Sequence, residues 1–144
     1  MKLPDAIRKQ FVDYGRLGGR ARAAKVRPES RQAIARRAAA SRWIRERFGA
    51  SSFADLGLPG GDLVDTGLSD LANGTVSAES LVVSLAAPRL RREGVPVGRV
   101  QSDPEDRLYE LLSSKIGGLA HARYSAHLQQ IASFADACRL ARRR

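Results

Sequence analysis

Apolar residues along this chain recur at spacings of three and four, the period of a helix that buries one face. Behind Pro4, which suits a first helical position, Ile7, Phe11 and Tyr14 stand at i, i+4 and i+7. Gly15, Gly18 and Gly19 then weaken this helix or break it into a turn. Pro28 and Glu29 open a second helix, which runs through Ile34, Ala38, Ile44 and Phe48 to a stop at Gly49. At about 20 residues it spans ~30 Å, close to one turn of duplex DNA. Residues 50–61 read as a connector with a Pro-Gly-Gly turn. A short helix over Asp62–Ala72 stops at Asn73-Gly74, and Ser77 caps the next, which carries Leu81, Val82 and Leu85 until Pro88 kinks or ends it. Residues 93–100 form a linker. Asp103 as N-cap and Pro104 at N1 start a segment with Leu108, Leu111 and Leu112 on one side, interrupted at Gly117-Gly118. The last helix carries Ala120, Tyr124, Leu128, Ile131, Phe134 and Cys138, a stripe long enough to pack on a helix of the same chain or of a partner. Alternation of branched and aromatic residues never persists, so the fold class is all-α.

Charge divides the chain more sharply than hydropathy does. Residues 1–49 hold 14 Lys+Arg against 4 Asp+Glu, whereas residues 50–88 hold no base and five acids. Residues 89–144 hold 11 bases and 6 acids. The first third therefore has a net charge of +10, equal to that of the whole 144-residue chain. Three parts follow from this: a basic helical segment over 1–49, an acidic linker and helical pair over 50–101, and a helical hairpin over 102–144. A field so concentrated draws a polyanion, and nucleic acid is the commonest.

The chemistry of the basic segment fits phosphate. Arginine presents a planar fork to phosphate oxygens, and neutralised phosphates release counterions. Arg16, Arg20, Arg22, Lys25 and Arg27 precede the second helix, and Arg31, Arg36, Arg37, Arg42 and Arg45 lie on it. Alanines between them let the backbone approach a groove closely. Gly18 and Gly19 allow backbone N–H groups to aim at phosphate oxygens. Trp43 packs in the helix interface or lies under a neighbouring arginine. Such charge gives affinity for a duplex without giving sequence preference.

Convergent catalytic groups are lacking. His121 and His127 lie six positions apart and cannot clamp one ion from one helix face. The single cysteine, Cys138, sits on the apolar stripe, which excludes an internal disulfide and fits a reducing cytoplasm. No nucleophile elbow, phosphate-binding loop or dinucleotide fingerprint occurs, and Gly15-x-x-Gly18-Gly19 follows a helix instead of a strand. We therefore expect no enzyme, no cofactor and no metal. The N-terminus lacks the apolar core of a secretory signal, and no apolar run is long enough for a bilayer, so no membrane association is expected. On the last helix Arg123 and Tyr124 combine charge with aromatic character, as interface hot spots do. With His127, Leu128, Ile131 and Phe134 they form the expected partner-binding or dimerising surface.

GGRARAAKVRPESRQAIARRAAASRW, from Gly18 to Trp43, is similar to a Gly-Gly/Ala-Arg motif of many small bacterial proteins, some of them DNA-binding. Together with FADLGLPGGDLVDTGLSDL, LVVSLAAPRLRREGVPV and DRLYELL, it resembles antitoxin-like proteins encoded beside abortive-infection-type nucleotidyltransferase toxins. The resemblance implies a basic N-terminal part that binds operator DNA, a C-terminal part that engages the toxin, and repression of its own operon. Two other classes fit the residues. One is a nucleoid or stress-associated protein that binds nucleic acid without sequence choice. The other is an adaptor whose basic arm meets an acidic protein.

Overall fold

The computed structural model describes residues 4–142, and all regular structure among them is helical. Six helices follow in order: α1 (Asp5–Lys25), α2 (Pro28–Phe48), α3 (Gly61–Asn73), α4 (Ala78–Arg92), α5 (Pro104–Ile116) and α6 (Ala120–Arg142), with a 3₁₀ turn over Gly117–Leu119. The chain divides into two compact units, Met1–Ala35 and Arg36–Arg144. No helix among the described residues is long and apolar enough to cross a membrane.

Of the alternatives the sequence offers, weakening or a break at the glycines and a kink or an end at Pro88, neither the break nor the end occurs. α1 runs unbroken through Gly15, Gly18 and Gly19. Each glycine costs about 1 kcal/mol relative to alanine, too little to end a helix whose other residues favour it. α4 likewise continues through Pro88 to Arg92, held on both sides of the proline by buried Leu81, Val82, Val83, Ala87 and Leu90.

Other end signals operate as the residues imply. Gly74 takes a left-handed conformation (φ 71°) and donates to the Asp70 and Leu71 carbonyls, closing α3. Ser77 and Ser80 form a reciprocal capping box at α4, with the Ser80 N–H 3.0 Å from Ser77 Oγ and the Ser77 N–H 2.9 Å from Ser80 Oγ. The Ser77 hydroxyl also donates to Asp70 Oδ2 at 2.6 Å, tying the two helices at their junction. Asp103 departs from expectation. Its side chain makes no cap, its φ is +46°, and its backbone carbonyl accepts from the Arg107 N–H instead.

The core of the second unit gathers Ile44 of α2, Phe53 of the connector, and residues of α3 to α6 including Val64, Leu81, Leu108 and Phe134. A chain of aromatic contacts fastens the end of α2 to α6. Trp43 meets Phe48 at 6.1 Å between centroids, Phe48 meets Phe53 at 5.7 Å, and Phe53 meets Phe134 edge-on at 5.0 Å. The connector is pinned by Asp65, whose carboxylate accepts from the N–H groups of Phe53 (3.1 Å) and Ala54 (2.9 Å). Close approach of α3 to α4 requires Gly67, where a Cβ would stand 2.4 Å from Val83 Cγ2. Arg89 bridges α4 to α6 through Asp136 at 2.7 Å.

Candidate nucleic-acid interface

In the first unit, every described side chain of α1 is exposed. Helical spacing puts Lys9, Arg16 and Arg20 on one face and Ile7, Phe11 and Tyr14 on the opposite one. The apolar face is not covered, since Phe11 and Tyr14 are 66% and 72% exposed. Arg22, Lys25 and Arg27 are exposed as well. Arg31 folds back, its Nε donating to the Val26 carbonyl at 3.0 Å, and so closes the junction before α2. Because α1 is continuous, the N–H groups of Gly18 and Gly19 lie within helical hydrogen bonding. The phosphate-cradling role expected for them is therefore corrected. With no Cβ there, they leave a flat strip on the helix.

In the second unit, Arg36, Arg37, Arg42, Arg45 and Arg47 are all exposed. Arg42 Nε donates to the Ala38 carbonyl at 3.4 Å, and Arg45 Nη2 to Ser51 Oγ at 2.7 Å. Helical spacing sets Ala38, Arg42 and Arg45 on the side away from buried Ile44, so this pair faces solvent past a small residue. The Arg47 guanidinium lies over the Trp43 ring at 4.9 Å while Trp43 also packs on Phe48, so both readings of Trp43 hold. Ile34, expected in the inward stripe, is 57% exposed; Ile44 carries that role.

The ion pairs place this charge in context. Arg89 and Arg139 pair with Asp136, and among the described residues no base of the first 49 positions forms an ion pair. The basic side chains of α1 and α2 thus lack carboxylate partners among the described residues.

The expected docking stripe on α6 is corrected in part. His127, Ile131 and Phe134 are interior side chains, 6%, 5% and 0% exposed, and fill the chain's own core. Tyr124 and Leu128 are half-buried. Tyr124 meets Tyr109 edge-on at 5.9 Å, and its hydroxyl donates to Glu105 Oε1 at 3.2 Å. Burial and the neighbouring Glu105 carboxylate raise its pKa above the usual 10.0. Desolvation lowers that of His127 below the usual 6.5, with Arg123 adding to the effect and Glu79 opposing it. Arg123 stays exposed, as do Ile116 and Leu119 at the turn into α6. Sequence reading missed these two apolar residues, although a leucine directly after Gly-Gly was the signal.

It also missed a cleft in the second unit, of about 640 Å³, between α2, α3 and the segment 96–99. Its lining comes from positions too far apart in the chain for any spacing rule to connect. Among the described residues no group of three His, Cys, Asp or Glu side chains converges as a metal site would require. Comparison with protein-family models, with curated proteins and with solved structures finds no match.

Proposed function

We infer that this chain is a DNA-binding regulator of the antitoxin kind: its basic helices hold operator duplex and its C-terminal helices meet a cognate protein toxin. The observation that carries the reading is uncompensated charge. Exposed arginines crowd α1 and α2 and none pairs with a carboxylate among the described residues, as a surface awaiting an external polyanion would require. Of the partner surface expected on α6, Arg123 stays exposed, with exposed Leu119 one turn before it. A nucleotidyltransferase as that partner follows from the sequence resemblance alone.

The test is fluorescence anisotropy with the DNA upstream of the chain's own gene against a scrambled duplex, at ~150 mM salt. A regulator prefers its own site by about a thousandfold or more. Equal affinity would reject the regulator in favour of a sequence-indifferent nucleic-acid binder. Co-expression with the product of the adjacent gene tests the second half. Arg123→Glu should weaken that complex by at least ~1 kcal/mol without loss of helix content.

A further inference from the structure

The cleft of the second unit has the size of a small-molecule site, about 640 Å³. Trp43, Leu68, Leu71 and Pro96 give it apolar walls, and Arg36, Arg37 and Arg99 stand along it. Both walls are fastened. α2 is held by the aromatic contacts that end on Phe134. The opposite segment buries Val95 and Val97 into the core, which turns Pro96 outward to the cleft. Arg91 locks it there, Nε donating to the Val97 carbonyl at 3.1 Å and Nη2 to that of Gly98 at 2.7 Å. The hydroxyl of buried Ser84 accepts from the Gln101 N–H at 3.0 Å, fixing its far end.

The charge in the cleft is one-sided. Asp65 is the one carboxylate in the lining, and its two oxygens are already engaged by the N–H groups of Phe53 and Ala54. Arg37 has a single long contact, 3.4 Å to Asn73 Oδ1. The guanidinium groups of Arg36 and Arg99 have no hydrogen-bond or carboxylate partner among the described residues. Three cationic forks beside an apolar wall match a molecule with an anionic head and an apolar body.

We propose that this cleft binds a small amphiphilic anion, a carboxylate or phosphate monoester on an aliphatic or aromatic body. The head takes the guanidinium groups of Arg36, Arg37 and Arg99, and the body lies against Trp43, Leu68, Leu71 and Pro96. The site shares Arg36 and Arg37 with the nucleic-acid reading but does not rest on it, and its test is run without DNA.

Trp43 is the chain's single tryptophan and lines the cleft, so its fluorescence reports occupancy in the full-length protein. The probes are octanoate and phenylbutyrate, which separate aliphatic from aromatic bodies, with octanol as apolar body without charge and inorganic phosphate as charge without body. We expect at least one of the two carboxylates to saturate the signal at one site below about 1 mM, and octanol and phosphate to bind at least about tenfold more weakly. Replacing Arg36, Arg37 and Arg99 with alanine should weaken the carboxylate about tenfold or more, and the exposed Arg99→Ala alone at least about threefold. Arg16→Ala with Arg20→Ala removes charge in the first unit and should change nothing. Octanol binding as tightly as octanoate, full affinity in the Arg99→Ala protein, or no saturation by either carboxylate would overturn the proposal. A cleft reserved for a protein segment would give the last of these results.

Discussion

Phe134→Ala removes the ring on which the connection between α2 and α6 rests. Phe134 is fully buried and meets Phe53 edge-on, with centroids 5.0 Å apart and planes at 85°. Truncating a core phenylalanine costs about 3–5 kcal/mol through lost transfer energy and the cavity left behind. The edge-on pair contributes ~0.5–1.5 kcal/mol beyond its buried area. The expected loss is about 4 kcal/mol. With a urea m-value of ~2 kcal/mol/M, the unfolding midpoint falls by ~2 M. Phe134→Leu, which keeps much of the volume, should cost about 1.5 kcal/mol. Urea titrations followed by far-UV circular dichroism and by Trp43 fluorescence measure both, and the two signals should shift together because the aromatic contacts end on Trp43. A midpoint shift below ~0.5 M for Phe134→Ala, or a Trp43 transition that does not move, would refute this packing.

Further substitutions probe separate parts of the account. Gly67→Ala should destabilise by ~1–3 kcal/mol in the same titration, since its Cβ would collide with Val83 and the Glu79 carbonyl. Gly18→Ala should instead raise helix content and favour α1 by up to ~1 kcal/mol, since nothing lies within 4 Å of a Cβ there; a fall in helix content would restore a turn at this position. His127 gives a pH dependence with a definite sign. Burial, aided by Arg123 and opposed by Glu79, holds its folded pKa below the unfolded value near 6.5. Its contribution is therefore complete above that value and is lost as pH falls through the interval down to the folded pKa. Thermal midpoints measured across this range should drop for the native protein and drop less for His127→Gln, and identical profiles would contradict the assignment.

The all-helical class was legible because apolar spacing and helix-end chemistry agree. Asn73-Gly74 and Ser77 act where their backbone and hydroxyl chemistry puts them. Penalties proved weaker than context. The glycines of α1 and Pro88 of α4 disfavour helix locally, yet both helices continue, α4 because its core contacts flank the proline. The same apolar periodicity could not separate a buried stripe from an exposed one. Ile131 and Phe134 on α6 enter the core, whereas Phe11 and Tyr14 on α1 remain uncovered, since the pattern names a face and not its partner. The exposure of Arg16 to Arg45 was readable from charge, but the shared use of Arg36 and Arg37 as cleft residues depends on α3 and Arg99, distant in sequence.

The central claim is that uncompensated arginines on α1 and α2 bind duplex phosphate, and the salt dependence of that binding tests it most directly. For six contacted phosphates, log K for a short duplex against log salt should have a slope of about −5. Replacing Arg36, Arg37 and Arg42 with alanine should flatten that slope by ~2–3 while far-UV circular dichroism stays unchanged. A native slope near zero, or a triple variant with unaltered slope and affinity, would contradict the account.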